Sequence, residues 1–311
     1  MDLNLDIGNS RIAWLVSGAD DQQRDVETPN KNNSVIACGQ ATEITDLINS
    51  IGQYIEQNLK QVDKSDRSVQ PMQNMRNMRN IRVACVLQDK QKREELLNAI
   101  ESHWQVQPRL AHTLQQHKGL SIAYADPDKL GVDRWLALLA ATQLDISSGR
   151  DSKHSSNSTP KHQLIIDAGT ATSIDLLIGS GEDFRHIGGL LIPGTQSIKE
   201  YFITRTQLRL DADLDSSGVP HLHNTSATAL DTAWGTDSQS CLDLGVDGMF
   251  TNFIQHKAIE FFGDYPQGRV LISGGAGAEL YQQLLHNPAN IPRNVFYISH
   301  LVCQGLIYAD I

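Results

Sequence analysis

Two short stretches of this chain share one pattern of apolar and polar residues. In the stretch 164–175 an apolar run ends in Asp167, a Gly-Thr turn follows, and a second run opens on threonine and serine. The stretch 3–16 repeats the pattern with Asp6, a Gly-Asn-Ser turn and another apolar run. Apolar runs on both sides of a tight turn are typical of a β-hairpin. The sequence therefore predicts two similar hairpins, one in each half of the chain.

The rest of the pattern predicts strands and helices in a similar order after each hairpin. Apolar runs bounded by turn residues predict strands, and apolar residues spaced three and four apart predict helices. We expect strands over 2–8, 11–17, 34–38, 81–87, 106–110, 184–191, 269–273 and 295–298. We expect helices over 42–59, 90–103, 135–144 and 195–204, one or two over 234–262, and a short one at the C-terminus. This order indicates an α/β protein of two similar halves, each a mixed β-sheet flanked by helices.

Two polar segments interrupt the pattern. Residues 61–80 contain a short repeat of asparagine, methionine and arginine, which predicts a mobile surface insertion. Residues 149–162 are rich in serine, lysine and histidine and have no apolar period, which predicts a linker or insertion. We therefore expect a first half over 1–148 and a second half over 163–311.

The charge of the chain narrows the class of its partners. Its 311 residues carry a formal net charge of −10, with 40% hydrophobic and 20% charged residues. This balance disfavours a nucleic-acid or anionic membrane surface and favours a small-molecule partner, although the arginines of 61–80 leave a nucleic-acid role open. No run approaches the ~18 apolar residues of a membrane span, and the N-terminus has no signal-peptide pattern. We expect a cytoplasmic protein.

Both hairpin turns carry groups that bind phosphate. Gly169 lets the backbone approach a phosphate closely, and Thr170 offers a hydroxyl and an N–H group. Asp167 can hold a cation that screens the anionic oxygens. A plain turn between two strands uses the same residue types. Two such turns in one chain nevertheless favour two halves that face each other across a nucleotide.

A charged pair precedes the apolar helix 135–144. Asp133 can accept the proton of a hydroxyl that attacks a γ-phosphate, and Arg134 can bind a substrate carboxylate. The alternative is a carboxylate that starts the helix and forms a local ion pair. Gly274 and Gly275 follow a buried strand and suit contact with an adenine ring or ribose, with strand–helix packing as their alternative.

In this order and spacing the motifs resemble those of the type III pantothenate kinase family. They are Asp-x-Gly-Asn-Ser at 6–10, Gly-Val-Asp-Arg at 131–134, Asp-Ala-Gly-Thr-Ala-Thr at 167–172, and a turn from a glycine pair to Pro-Gly at 188–194. The resemblance implies two ribonuclease H-like halves of the actin-like ATPase superfold. It also implies ATP-dependent phosphorylation of pantothenate to 4′-phosphopantothenate, the first step of coenzyme A synthesis.

The resemblance further implies roles for individual residues. Asp133 would be the catalytic proton acceptor, Thr170 would bind ATP, and Asp167 would hold a monovalent cation, K⁺ or NH₄⁺. Asp6 would lie near the Mg²⁺ of the nucleotide. The first phosphate loop would bind ATP through Asp6, Ile7, Gly8, Asn9, Ser10, Arg11, Ile12 and Ala13. Pantothenate would be bound by Tyr124, Gly131, Val132, Asp133, Arg134 and Ser238.

The family also has a hydroxyl residue at the start of the long second-half helix, which reaches the substrate across a homodimer. Its Gly-x-x-Thr segment reads Gly-Thr-Asp-Ser at 235–238, so Ser238 is the expected contact and Thr236 its alternative. Two other functions stay open: a kinase of this fold with another small hydroxy or carboxy acceptor, and a non-catalytic, ATP-binding accessory factor for transcription. The intact set Asp6, Asp133 and Asp167 favours an enzyme.

Overall fold

The structure, a computed structural model, describes residues 1–18, 35–62, 78–144, 162–180, 182–206, 234–286 and 294–311. Most of the insertion expected over 61–80 lies outside the described residues. So does the linker expected over 149–162, apart from His162.

The first half is built on a five-stranded sheet. Its strands are β1 Asp2–Ile7, β2 Ile12–Ser17, β3 Val35–Ala41, β4 Asn80–Cys85 and β5 Pro108–Leu110. They lie in the order β3-β2-β1-β4-β5, with β1 antiparallel to β2 and parallel to β4. Alternate residues of β1 point to one face, where Leu3 and Leu5 are buried under the helices α1 Ile44–Val62 and α2 Lys90–Trp104.

A segment between the halves contains two short strands and a buried helix. The elements are β6 Gln116–His117, β7 Leu120–Ser121, a 3₁₀ turn at Pro127–Lys129, and α3 Val132–Gln143. Every residue of α3 from Arg134 to Thr142 is buried. This explains why the sequence of this helix is apolar on most of its faces.

The second half is built on a larger sheet. Its strands are β8 His162–Ala168, β9 Ala171–Ser180, β10 Asp183–Pro193, β11 Arg269–Ser273 and β12 Val295–Tyr297. Its helices are α4 Thr195–Thr206, α5 Ser238–Asp264 and α6 Gly277–His286. The sheet order is β12-β11-β8-β9-β10-β7-β6. Read from β10 to β12, five of these strands lie in the order β10-β9-β8-β11-β12, which corresponds strand by strand to β3-β2-β1-β4-β5 of the first sheet. This repetition confirms the predicted fold class of two mixed sheets flanked by helices.

One expected turn in this half was wrong. The segment from Gly188 to Pro193, expected to lead the chain into a helix, continues β10 and pairs with β9. A β-bulge between His186 and Gly188 absorbs one residue, and Gly188 adopts φ +145° there. Because the bulge restores the pairing register, the strand continues to Pro193 before α4 begins.

The last helix, α7 Leu301–Tyr308, packs against the first sheet and against α3. Ala84 of β4, Trp135 of α3 and Leu306 of α7 belong to the same buried cluster. This core therefore draws on both halves, and the limits at 148 and 163 stay a prediction. No helix in the described part of the chain has the length and apolarity that a membrane span requires.

Candidate active site

The two predicted phosphate turns contact each other across the two halves of the chain. Ser10 Oγ lies 3.0 Å from Thr170 Oγ1, although the two residues are 160 positions apart in sequence. The first turn closes with a hydrogen bond from Gly8 N–H to Arg11 O of 3.0 Å. Ile7 and Ile12 flank this turn with buried side chains. The exposed part of the turn is therefore Asn9, Ser10 and Arg11, together with the backbone.

The second turn is supported by elements of its own half. The carbonyl of Thr170 accepts hydrogen bonds from Gly194 N–H at 2.9 Å and from Ser197 Oγ at 2.8 Å. On its other side, Gly274 has φ +92°, and a Cβ there would lie 2.4 Å from Ala168 O. Only glycine permits so close an approach in this conformation. The turn that carries Thr170 is thus fixed from both sides.

Arg11 reaches from the first half to the glycine turn of the second. Its Nη1 donates to Gln40 Oε1 at 3.2 Å, and a Cβ at Gly275 would lie 3.1 Å from the same nitrogen. Gly274 and Gly275 were expected on the adenosine side of the nucleotide. Arg11 therefore lies where the two halves approach each other on that side.

Three carboxylates of the predicted site are electrostatically coupled. Asp6 is the last residue but one of β1, Asp167 is the last residue but one of β8, and Asp133 is the second residue of α3; all three are half-buried. Burial, followed by repulsion from Asp167 and Asp133, raises the pKa of Asp6 well above its ordinary value. Burial, followed by repulsion from Asp133 and Asp175, raises the pKa of Asp167 to about 7. The sequence-predicted acids thus form one electrostatically coupled group.

Asp133 lies in the first turn of α3 and does not cap the helix, and its carboxylate does not form the local ion pair of the alternative interpretation among the described contacts. Its Oδ1 accepts the Arg134 N–H at 2.8 Å. Burial raises the pKa of Asp133, although this hydrogen bond opposes the rise. The guanidinium of Arg134 pairs instead with Asp175. A base whose pKa lies closer to neutrality accepts a proton more effectively.

Arg134 is buried in a polar cluster that the sequence did not reveal. Its Nε and Nη2 donate to the two carboxylate oxygens of Asp175 at 3.0 and 2.5 Å. Its Nη1 donates to Tyr124 Oη at 3.1 Å, and His186 Nε2 lies 3.0 Å from Asp175 Oδ1. Tyr124 and Arg134 were predicted from the sequence, whereas Asp175 and His186 were not. A charged residue in a buried strand beside a phosphate motif was the available signal.

The acids fit a metal ion that is shared with a nucleotide. Among the described residues, no three side chains are arranged to ligate a metal ion by themselves. Mg²⁺ is commonly held by one or two carboxylates together with substrate phosphates and water. Asp6 and Asp167, beside the phosphate turns, offer that donor set. A cation would also relieve the repulsion that raises their pKa values.

The residues expected from a second subunit lie at the start of α5. Thr236 and Ser238 are exposed, and the described contact of Thr236 runs from its N–H to Ser240 Oγ at 3.2 Å. Asp237 caps α5 by accepting the Ser240 N–H at 2.8 Å. Within the described contacts of the single chain, neither hydroxyl joins the cluster around Asp133. Within one chain, the described contacts join Tyr124 to Arg134 and Ser10 to Thr170, and Asp133 is electrostatically coupled to Asp6 and Asp167.

Comparisons with known proteins show which family this chain resembles. The family model for type III pantothenate kinase matches residues 2–257. The type III pantothenate kinase of Colwellia psychrerythraea is 30% identical over 201 residues, which cover 63% of this chain and 68% of that protein. The enzyme of the same name from Pseudoalteromonas atlantica is 27% identical over 229 residues, covering 73% and 77%.

Solved structures give a weaker likeness. A Campylobacter jejuni protein described as a conserved Baf family transcriptional activator is 16% identical, with a TM-score of 0.44 over 99% of this chain and 96% of that one. A score of this size supports no argument about function. The family match covers most of the chain and both phosphate turns, and it establishes that this chain belongs to the type III pantothenate kinase family.

Proposed function

We propose that this chain phosphorylates pantothenate with ATP through the cleft between its two sheets, with Asp133 as the proton acceptor. The family match over residues 2–257 supports the reaction. The observation that supports the location is the contact of Ser10 with Thr170, in turns that adjoin the coupled acids Asp6 and Asp167 in sequence. A kinase of this family uses ATP with a divalent metal ion and transfers phosphate to an alcohol.

The chemistry assigned to this chain's residues is simple. The carboxylate of Asp133 takes the proton of the pantothenate hydroxyl, and the hydroxyl oxygen forms a bond to the γ-phosphorus. The bond from that phosphorus to the β–γ bridging oxygen breaks, and ADP leaves with its electron pair. Ser10, Thr170 and the N–H groups of the turns hold the phosphates, and Arg134 binds the pantothenate carboxylate. Asp6 would help to hold Mg²⁺, which would neutralise phosphate charge.

The monovalent cation site at Asp167 belongs to this proposal. A carboxylate with a pKa of about 7 is half-protonated at neutral pH, and a bound K⁺ or NH₄⁺ would hold it ionised. The cation would then lie beside the turn of Thr170. We place no nucleic acid in the site, and we propose a cytoplasmic location because both substrates are metabolites of that compartment.

We predict that ADP release requires pantothenate and increases when K⁺ is added. The reason is that Asp167, beside the phosphate turn, would hold K⁺ and would then stay in its charged form. The measurement is a coupled ADP-release assay in Tris buffer with Na⁺ or K⁺ at equal ionic strength. ADP release with a sugar or acetate in place of pantothenate would show that the protein is a kinase for another acceptor. Absence of release with every acceptor would favour the accessory-factor alternative.

We predict that the stability of the nucleotide-free protein falls as pH rises from about 4 to about 7. The pKa of Asp167 is about 7 in the folded chain against an ordinary value of 3.8, so the folded state holds the extra proton in this range. A group that binds protons more tightly when folded loses its stabilising effect as pH rises through the folded pKa. At pH 8, Asp167→Asn should therefore raise the free energy of unfolding by on the order of 1–4 kcal/mol, since one pKa unit is worth about 1.4 kcal/mol.

Thermal melts of both proteins from pH 4.5 to 8.5, without nucleotide and with Na⁺ only, measure this effect. Asp128→Asn, at an exposed position in the 3₁₀ turn, is the matched control and should leave the pH profile unchanged. Parallel profiles for the Asp167→Asn and parent proteins would contradict the prediction.

We propose a homodimer in which Ser238, or Thr236 in its place, completes the partner's acceptor site. The support is the family's segment at 235–238 and the exposure of both hydroxyls. We predict that Asp133→Asn and a Thr236→Ala/Ser238→Ala double variant, each nearly inactive alone, regain activity when mixed and allowed to exchange subunits. One site in the mixed dimer then has both intact groups. Equal inactivity before and after mixing, with exchange verified by differently tagged subunits, would place the hydroxyls outside a shared site.

A further inference from the structure

Asp175 and His186 lie behind Arg134 on the face of the second sheet that turns toward α3. Antiparallel pairing of β9 and β10 places Leu177 opposite His186 and Asp175 opposite Gly189. Residues two apart on a strand share a face, so both polar side chains point the same way. Asp175 is 1% exposed and His186 is 0% exposed. Both side chains are therefore buried away from solvent.

Asp175 fixes the plane of the Arg134 guanidinium. The two hydrogen bonds of 3.0 and 2.5 Å run to different carboxylate oxygens, which is the bidentate geometry that stops a guanidinium from rotating. His186 Nε2 lies 3.0 Å from Asp175 Oδ1, the oxygen that also accepts from Arg134 Nη2, and so adds a third contact to the carboxylate. Burial alone would raise the pKa of Asp175, but the hydrogen bonds with His186 and Arg134 outweigh it and lower the pKa. The carboxylate stays charged.

His186 and Arg134 both contact Tyr124. The ring of Tyr124 stacks on His186 with centroids 6.1 Å apart and planes 11° from parallel. Its hydroxyl accepts from Arg134 Nη1 at 3.1 Å, and the Arg134 Cζ lies 5.8 Å from its ring centre. Two side chains are expected to bind pantothenate. Asp175 therefore fixes the first, Arg134, and His186 contacts the second, Tyr124.

We infer that Asp175 and His186 are positioning residues that tune the acceptor site for a carboxylate. This inference rests on the proposed role of Arg134. With Nε and Nη2 held by Asp175, the Nη1 end of the guanidinium and the Tyr124 hydroxyl form the pair that faces the acceptor. A guanidinium held in one plane distinguishes a carboxylate from a neutral group better than a freely rotating cation does. Asp175 and His186 thus act on specificity without touching the reacting atoms.

The test compares pantothenate with pantothenyl alcohol, which has the same reacting hydroxyl and no carboxylate. In the parent protein we expect kcat/KM to favour pantothenate by about 10–100-fold, the range of a hydrogen bond to a charged group. In Asp175→Asn and His186→Gln this preference should fall by at least about 5-fold, mainly through a higher KM for pantothenate. The kcat/KM for the alcohol should change much less.

Two further variants separate the possible failures. Asp2→Asn breaks another partly buried ion pair, Arg82–Asp2 at 3.0 Å, at the far end of β1 and β4, and it should lower the Tm without changing the preference. Arg134→Gln should itself remove the preference. If it does not, the proposed role of Arg134 fails.

If Arg134→Gln removes the preference but Asp175→Asn and His186→Gln lower both kcat/KM values equally, the inference is overturned and the proposed function stands. If Asp175→Asn does not fold, His186→Gln decides alone. Its amide can still donate a hydrogen bond to Asp175, so that the ion pair survives while the ring stacked on Tyr124 is lost.

Discussion

Replacing Asp133 with asparagine should lower kcat by about 10²–10⁴-fold while the affinity for ATP changes little. Asparagine keeps the side-chain volume and can still accept the Arg134 N–H, which Asp133 Oδ1 accepts at 2.8 Å, so the start of α3 is preserved. Only the capacity to take a proton is lost. The neighbouring acids Asp6 and Asp167 should lose part of the repulsion that raises their pKa values, because both are raised by Asp133.

This expectation separates chemistry from binding. ADP release at saturating substrates measures kcat, and calorimetric titration with a non-hydrolysable ATP analogue measures the nucleotide affinity. Asp126→Asn is a suitable control, because Asp126 caps the exposed 3₁₀ turn before the same helix and should change kcat by less than about 3-fold. Weaker nucleotide binding with an unchanged turnover of bound substrate would remove Asp133 from the role of base.

Replacing Gly189 with alanine should nearly abolish pantothenate turnover and destabilise the protein by on the order of 3 kcal/mol. A Cβ at this position would lie 2.2 Å from Asp175 Oδ1 and 2.6 Å from Arg134 Nη2. The backbone carbonyl of Ile174 would lie 2.7 Å away on another side. The added methyl group can fit only if the ion pair separates, and separation removes the bidentate contact between the buried charges of Arg134 and Asp175.

Gly245→Ala is the matched control for this substitution. Gly245 is exposed in α5, and a Cβ there meets nothing within 4 Å. Alanine favours a helix over glycine by about 1 kcal/mol, so the control should be neutral or stabilising. Chemical denaturation measures both stabilities, and the ADP-release assay measures turnover. A Gly189→Ala protein with parental stability and KM would show that the sheet adapts to the methyl group.

Local patterns predicted much of this molecule. The two Asp-x-Gly turns, the helix that follows Asp133 and most strands depend on the spacing of nearby residues, and each lies within a few positions of its expected place. The meeting of Ser10 and Thr170 also followed from symmetry, because similar hairpins in similar halves point toward the same cleft. Asp133 lies in the first turn of its helix, as the helix-starting interpretation expected. The local ion pair of that interpretation is not formed, because Arg134 pairs with Asp175.

Long-range contacts could not be predicted in the same way. Asp175 and Arg134 are 41 residues apart, and only the packing of α3 on β9 joins them. The pairing of β7 with β10 and the placement of α7 on the first sheet likewise depend on tertiary structure. Sequence periodicity specifies that a surface must be covered, but it does not specify which element covers it.

The position of α7 has a consequence for synthesis. The first sheet is complete in strands once residue 110 has been made, yet one of its faces is covered by residues 301–308. During synthesis this apolar face stays uncovered until nearly two hundred further residues have been added. The nascent chain is therefore exposed to aggregation or to binding by chaperones. A ribosome that stalls before residue 301 would release a chain whose phosphate turns are present but whose core is open.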